Sequence, residues 1–204
     1  MSAVIDLADI RPAFADPTKG SQAVFRKVMD AVARPGTIHD LAFAPDAPAG
    51  LDRAAGAVAL TLFDFETPVW LDPALRGGEA EAWMRFHAGC PLTQDTDAAA
   101  FAVIANAADL PALAAFNQGD AKYPDQSTTL VIQVPSLEGG QAVVLTGPGV
   151  NGEETLALQG LPPGFWDQVE TNHLQFQFGV DLIFVAGDRL TALPRSTRVN
   201  IKGG

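Results

Sequence analysis

The order of elements along the chain predicts an α/β fold: a single-domain, mixed-sheet sandwich with helices on both faces, spanning residues 1–204. Three observations predict it. Segments with apolar residues at helical spacing alternate with short apolar or β-branched runs of strand length. The last two strand-like runs, 180–186 and 189–193, are separated only by Gly187-Asp188 and read as a hairpin, so the sheet mixes isolated and hairpin strands. Finally, 204 residues supply one compact domain with a sizeable core and scarcely two.

The first strong element is a helix over 21–33. Val24, Phe25, Val28, Met29 and Val32 recur at helical spacing, while Gln22, Arg26, Lys27 and Asp30 fall elsewhere. Arg34-Pro35-Gly36 stops it, because proline biases the preceding residue away from helical geometry and glycine tolerates the left-handed conformation that ends many helices. Residues 45–50 are rich in Pro, Ala and Gly and read as a loop. Asp52 then caps a second helix reaching to Phe63. A strand at 67–71, a helix at 79–87 and a buried strand at 101–105 follow, then a helix at 110–116 and a β-branched strand at 128–134 that suits a sheet centre. Strands at 142–146 and 155–158 are separated by the turn signals Gly147-Pro148-Gly149 and Asn151-Gly152. The helix at 163–173 opens on proline and leads into the closing hairpin.

Composition narrows the function. Hydrophobic residues make up 48% of the chain and charged residues 18%, which belongs to a globular protein. With 13 Lys and Arg against 24 Asp and Glu, the formal net charge of −11 disfavours nucleic-acid binding. The start of the chain carries Asp6 and Asp9 and has neither a basic opening nor a continuous apolar core, and no run is long enough to span a bilayer. A cytoplasmic protein without a membrane partner is expected, and a single Cys90 suits a reducing compartment.

No stretch has the glycine spacing followed by Lys and a hydroxyl residue that cradles phosphates, and the dinucleotide fingerprint is missing. Gly147-Pro148-Gly149 reads as a turn, since its proline lacks the backbone N–H a phosphate cradle uses. One Cys and three scattered His (His39, His87, His173) fall short of a zinc set, so no metal or cofactor is expected. His39, beside Asp40, reads as a surface residue and His173 as a helix C-terminal cap. Arg85, His87 and Cys90 share one short stretch, either an anion or metal site, a nucleophile with its base, or simply a helix end. The densest basic cluster is Arg189, Arg195, Arg198 and Lys202. Arg195 and Arg198 flank Ser196-Thr197, and guanidinium forks beside hydroxyls suit phosphate or carboxylate oxygens; the alternative is a salt-bridged face or a protein interface. Asp181 interrupts an apolar strand and needs a donor, which Arg195 or Arg198 can supply, committing part of the cluster to structure.

The stretches FRKVMDAVARPG (25–36), DFETPVWLD (64–72), RFHAGCP (85–91), STTLVIQVPSL (127–137), LTGPGV (145–150), FGVDLIFV (178–185) and ALPRSTRV (192–199) stand in the order and spacing of the PhnH family, which the chain resembles over nearly its whole length. The resemblance implies an α/β fold like the large domain of pyridoxal-phosphate-dependent transferases, without the cofactor site; Lys19, Lys27, Lys122 and Lys202 give no independent sign of a Schiff-base position. It also implies a subunit of the carbon–phosphorus lyase system of phosphonate catabolism. There PhnG, PhnH, PhnI and PhnL form ribose 1-phosphonate 5-triphosphate from ATP and an alkylphosphonate, before PhnJ cleaves the carbon–phosphorus bond. A PhnH-like chain is then homodimeric alone, assembled with PhnG, PhnI, PhnJ and PhnL in the cell, and without independent catalysis, Arg195 or Arg198 being first in line to contact a triphosphate. The competing class is a stand-alone phosphonate- or nucleotide-binding enzyme built around Arg195/Arg198 or His87/Cys90.

Overall fold

The computed structural model describes residues 10–201. Helix α1 spans Pro17–Ala33, four residues longer at its start than the apolar periodicity indicates. Asp16 accepts a hydrogen bond from Lys19 N–H (3.0 Å) as its N-cap, and Pro17 occupies the first turn, where a missing N–H costs nothing. Strand β1 (His39–Asp40), α2 (Arg53–Leu62), β2 (Val69–Leu71), α3 (Glu79–Ala88), β3 (Leu92–Thr93) and β4 (Phe101–Ile104) follow. Then come β5 (Thr129–Gln133), β6 (Val143–Thr146), β7 (Glu154–Leu156), α4 (Phe165–Leu174), β8 (Asp181–Ala186), β9 (Arg189–Leu193) and β10 (Arg198–Ile201).

The helix expected at 110–116 is absent. Two single 3-10 turns, Ala107–Asp109 and Leu113–Ala115, stand there instead, with Pro111 between them lacking the N–H that a continuous helix would use. The short strands β1, β3 and β10 carry too few residues for alternation to reveal them.

Seven strands form the main sheet in the order β1-β9-β8-β5-β4-β2-β3. From β8 to β3 all neighbours are parallel, while β9 and β1 add antiparallel strands at the other side. A second, antiparallel sheet has the order β10-β6-β7. The central strands are buried on both faces, as parallel strands require. Val103, Val131, Ile183 and Val185 point to a core shared with α1, α2 and α3, including Val24, Val28, Val58, Trp83 and Met84. Ile104, Leu130, Ile132, Leu182 and Phe184 point the other way, to a core closed by the small sheet and by Phe165, Trp166 and Val169 of α4. The result is a mixed α/β sandwich with helices on both faces, in which the small sheet shares one face with α4.

Two tight glycine contacts, one to backbone and one to a side chain, fix the small sheet against the end of α1 and the turn after it. A Cβ on Gly149 would stand 2.1 Å from Ala33 O, and one on Gly36, which has a φ of +86°, would stand 2.7 Å from Leu145 Cδ1. The Gly147-Pro148-Gly149 segment is thus a structural turn pressed onto the end of α1.

Periodicity alone misassigns one face of α1. Gly20, Val24, Val28 and Ala31 are its buried residues, whereas Phe25, Met29 and Val32 are 47%, 51% and 37% exposed. Their spacing of four and then three residues makes them a second apolar stripe, facing outward.

Candidate functional site

Chemistry-bearing side chains gather at opposite edges of the main sheet. At the amino edge, Asp181 opens β8 and Arg195 follows β9, and the register Leu182↔Leu193 brings the two within reach. Arg195 Nη2 lies 2.6 Å from Asp181 Oδ2 and Nε lies 3.2 Å from Oδ1, a two-pronged pair. The backbone N–H of Arg195 donates to the same carboxylate at 2.8 Å, and Nη1 donates to Pro124 O at 2.7 Å and to Gln177 O at 3.4 Å. His173, in the last turn of α4, contacts Arg195 O through Nδ1 at 3.2 Å. Arg195 therefore ties together β8, α4 and two loops, and nearly all its donors are spent. Asp181 finds its donor in Arg195, and Arg198 stands apart: it opens β10 opposite Thr146, is exposed, and has no ion pair among the described residues.

His39 departs from its sequence reading. Its side chain is only 10% exposed, with Nε2 2.9 Å from Thr37 Oγ1, and burial lowers its pKa against the opposing pull of Asp30. The two strand residues of β1 hold it against β9 instead of leaving it in solvent.

On α3, His87 Nε2 and Trp83 Nε1 both lie 2.9 Å from Arg11 O, so His87 fastens the segment before α1 to the helix. Cys90 is 4% exposed in the core beneath α1–α3, and burial pushes its thiol pKa up. A nucleophile needs the reverse, a depressed pKa and an open approach. Among the described residues no three His, Cys, Asp or Glu side chains converge as a metal site.

The carboxyl edge of a parallel sheet is where α/β folds ordinarily place ligands. Over β2, β4, β5 and β8 this edge is filled by the chain's own groups. Asp72 accepts from Ala74 N–H (2.9 Å) and Ala105 N–H (3.2 Å), joining the ends of β2 and β4. Gln133 donates to Gly50 O and Ala105 O, both at 3.0 Å, and accepts from Asp52 N–H. Asp52 begins α2 as expected, but its carboxylate accepts from Gly187 N–H (3.0 Å) in place of a helix cap; burial raises its pKa, partly offset by that bond.

Toward the β3 side the same edge opens. A cavity of about 110 Å³ is lined by Leu71, Arg76, Glu81, Arg85, Leu92, Thr93 and Gln94. Arg85 is thus brought together not with His87 but with Arg76, which the sequence reading did not single out. Arg76 stands nine residues before Arg85, and only the β2–α3–β3 crossover brings the two to one opening; no sequence spacing signals it. A larger cavity of about 580 Å³ lies by 158–167, at the start of α4, with Asp167 its charged side chain.

The profile described as "Bacterial phosphonate metabolism protein (PhnH)" matches residues 12–200. The chain belongs to the PhnH family. It is 45% identical over 187 residues to "Alpha-D-ribose 1-methylphosphonate 5-triphosphate synthase subunit PhnH" of Rhizobium meliloti (strain 1021), covering 92% of this chain and 94% of that protein. It is also 40% identical over 85 residues to "Putative C-P lyase subunit protein HtxG" of Stutzerimonas stutzeri, covering 42% and 44% of the two chains. The stretches that carry the PhnH likeness fall on elements and their joints: FRKVMDAVARPG is most of α1 with its stop, FGVDLIFV contains Asp181, and ALPRSTRV contains its partner Arg195.

Proposed function

We propose that this chain is a subunit of the bacterial carbon–phosphorus lyase system, assisting formation of ribose 1-phosphonate 5-triphosphate from ATP and an alkylphosphonate, and that it acts within an assembly rather than alone. The observation that carries the reading is the full-length match to a protein named as a synthase subunit. Its partners in this reading are PhnG, PhnI, PhnJ and PhnL; without them it is a cytoplasmic homodimer.

The outward stripe of α1 supports assembly. Three large apolar side chains on one helical face cost solvation in a free chain and are what a protein contact covers. Removing them from water is worth on the order of 25 cal/mol per Å² of apolar area. The two cores lie on opposite faces of one shared sheet, which supports a single domain over the whole chain. The mixed seven-stranded sheet supports the likeness to the large domain of pyridoxal-phosphate-dependent transferases.

The test is native mass after co-expression with PhnG, PhnI and PhnJ. Wild type is expected to travel with them, and Phe25→Ser/Met29→Ser to fold with an unchanged circular dichroism spectrum but separate from the assembly. Absence of any complex with wild type, together with ATP or phosphonate turnover by the chain alone, would overturn the proposal.

A further inference from the structure

We infer that the cavity at the carboxyl edge of β2 and β3 binds a small phosphoryl-type oxyanion between Arg76 and Arg85. Arg76 is held by a hydrogen bond from Nε and Arg85 by an exposed ion pair at Nε, and each leaves its two Nη groups without a hydrogen-bond partner among the described residues. Arg76 Nε donates to Leu71 O at 2.8 Å, and its guanidinium carbon lies 5.1 Å from the centre of the Trp70 ring. Arg85 Nε lies 3.3 Å from Glu81 Oε1, on the preceding turn of α3. Arg76 is therefore oriented before any ligand arrives and Arg85 is biased toward the same opening by Glu81, with the Nη nitrogens of both unspent, whereas Arg195 at the other edge has almost none.

The remaining lining groups fit the same class of ligand. Thr93 Oγ1 accepts from Asp95 N–H at 3.0 Å, and its own proton has only a 3.4 Å contact to Asp95 O, so it can turn toward an oxyanion. Gln94 adds an amide at the rim. Glu81 is the one carboxylate in the lining; its Oε2 accepts from Gly77 N–H at 2.7 Å, which fixes it at one side and leaves two positive charges against one negative. Two guanidinium forks exclude a metal cation and match the oxygens of phosphate or phosphonate. The volume of about 110 Å³ equals the share of roughly four water molecules and falls below the ~300 Å³ where pockets for larger ligands begin. It takes a free ion or the end group of a longer molecule whose remainder lies outside.

This site does not depend on the subunit reading, because binding is read on the isolated full chain. Isothermal titration at constant ionic strength, with inorganic phosphate, methylphosphonate and ATP as separate probes, tests it. Saturable binding of phosphate or methylphosphonate is expected, weakened at least tenfold by Arg85→Gln and tightened at least threefold by Glu81→Gln. Arg85 is exposed, so its substitution leaves the fold intact, which circular dichroism verifies. ATP binding at least tenfold tighter than phosphate would assign the site to the terminal group of a polyphosphate; anything less would assign it to the free ion. A heat of titration no larger than sodium chloride gives, or a loss smaller than tenfold in Arg85→Gln, would overturn the inference.

Discussion

Arg195 and the Arg76–Arg85 pair stand at opposite edges of one sheet and use the same chemistry to different ends. Arg195 has a carboxylate on two prongs and two backbone carbonyls, with its side chain 14% exposed. Arg85 has one carboxylate contact and a side chain 61% exposed, and Arg76 one carbonyl and an aromatic face. A fully engaged guanidinium is part of the fold, while guanidiniums restrained at one nitrogen only, by a hydrogen bond in Arg76 and an exposed ion pair in Arg85, are available to a ligand. Cation density in the sequence points to the first; only the spatial arrangement points to the second.

The largest effect that separates them is stability. Arg195→Ala leaves Asp181 without its ion pair, and is expected to cost roughly 2–3 kcal/mol, below the range for a fully buried pair because both side chains keep some solvent contact. Urea unfolding measures it, and a loss under about 0.5 kcal/mol, the level of an ordinary surface substitution, would erase the distinction. Arg76→Gln comes next, at about 1–2 kcal/mol from its hydrogen bond and its contact with Trp70. Arg85→Gln removes only a helical i,i+4 ion pair and is expected to cost no more than about 0.5 kcal/mol in the same assay.

The smallest effect concerns the laced centre of the carboxyl edge. Asp52 has a raised folded-state pKa, caused first by burial. The folded chain then holds this proton more tightly than the unfolded one. Its contribution is greatest below the ordinary aspartate pKa of about 3.9 and is lost as pH rises from there through the raised value. Asp52→Asn keeps an acceptor for Gly187 N–H and is expected to flatten the fall in stability across that window, read as melting temperature against pH. An unchanged slope would mean that Asp52 is solvated.

Sequence reading reached the strands of the sheet centre because β-branched runs such as Thr129–Gln133 have few other uses. It reached the Asp181–Arg195 pair because a carboxylate interrupting an apolar strand demands a donor. It failed at 110–116, where alanine-rich composition favours helix but Pro111 breaks it. It could not tell the two stripes of α1 apart, since Val24/Val28 and Phe25/Met29 are equally apolar and only tertiary packing decides which faces the sheet. The Arg76–Arg85 opening was illegible for a related reason: α3 and β3 must fold back on β2 before the two side chains share a cavity.

The division between spent and open arginines can be read in one spectrum. In a nitrogen-15 correlation spectrum of arginine Nε–H groups, assigned by substitution, phosphate added at constant ionic strength should move the Arg76 and Arg85 signals along a saturable curve and leave Arg195 in place. Movement of Arg195, or stationary Arg76 and Arg85 signals at saturating phosphate, would contradict it.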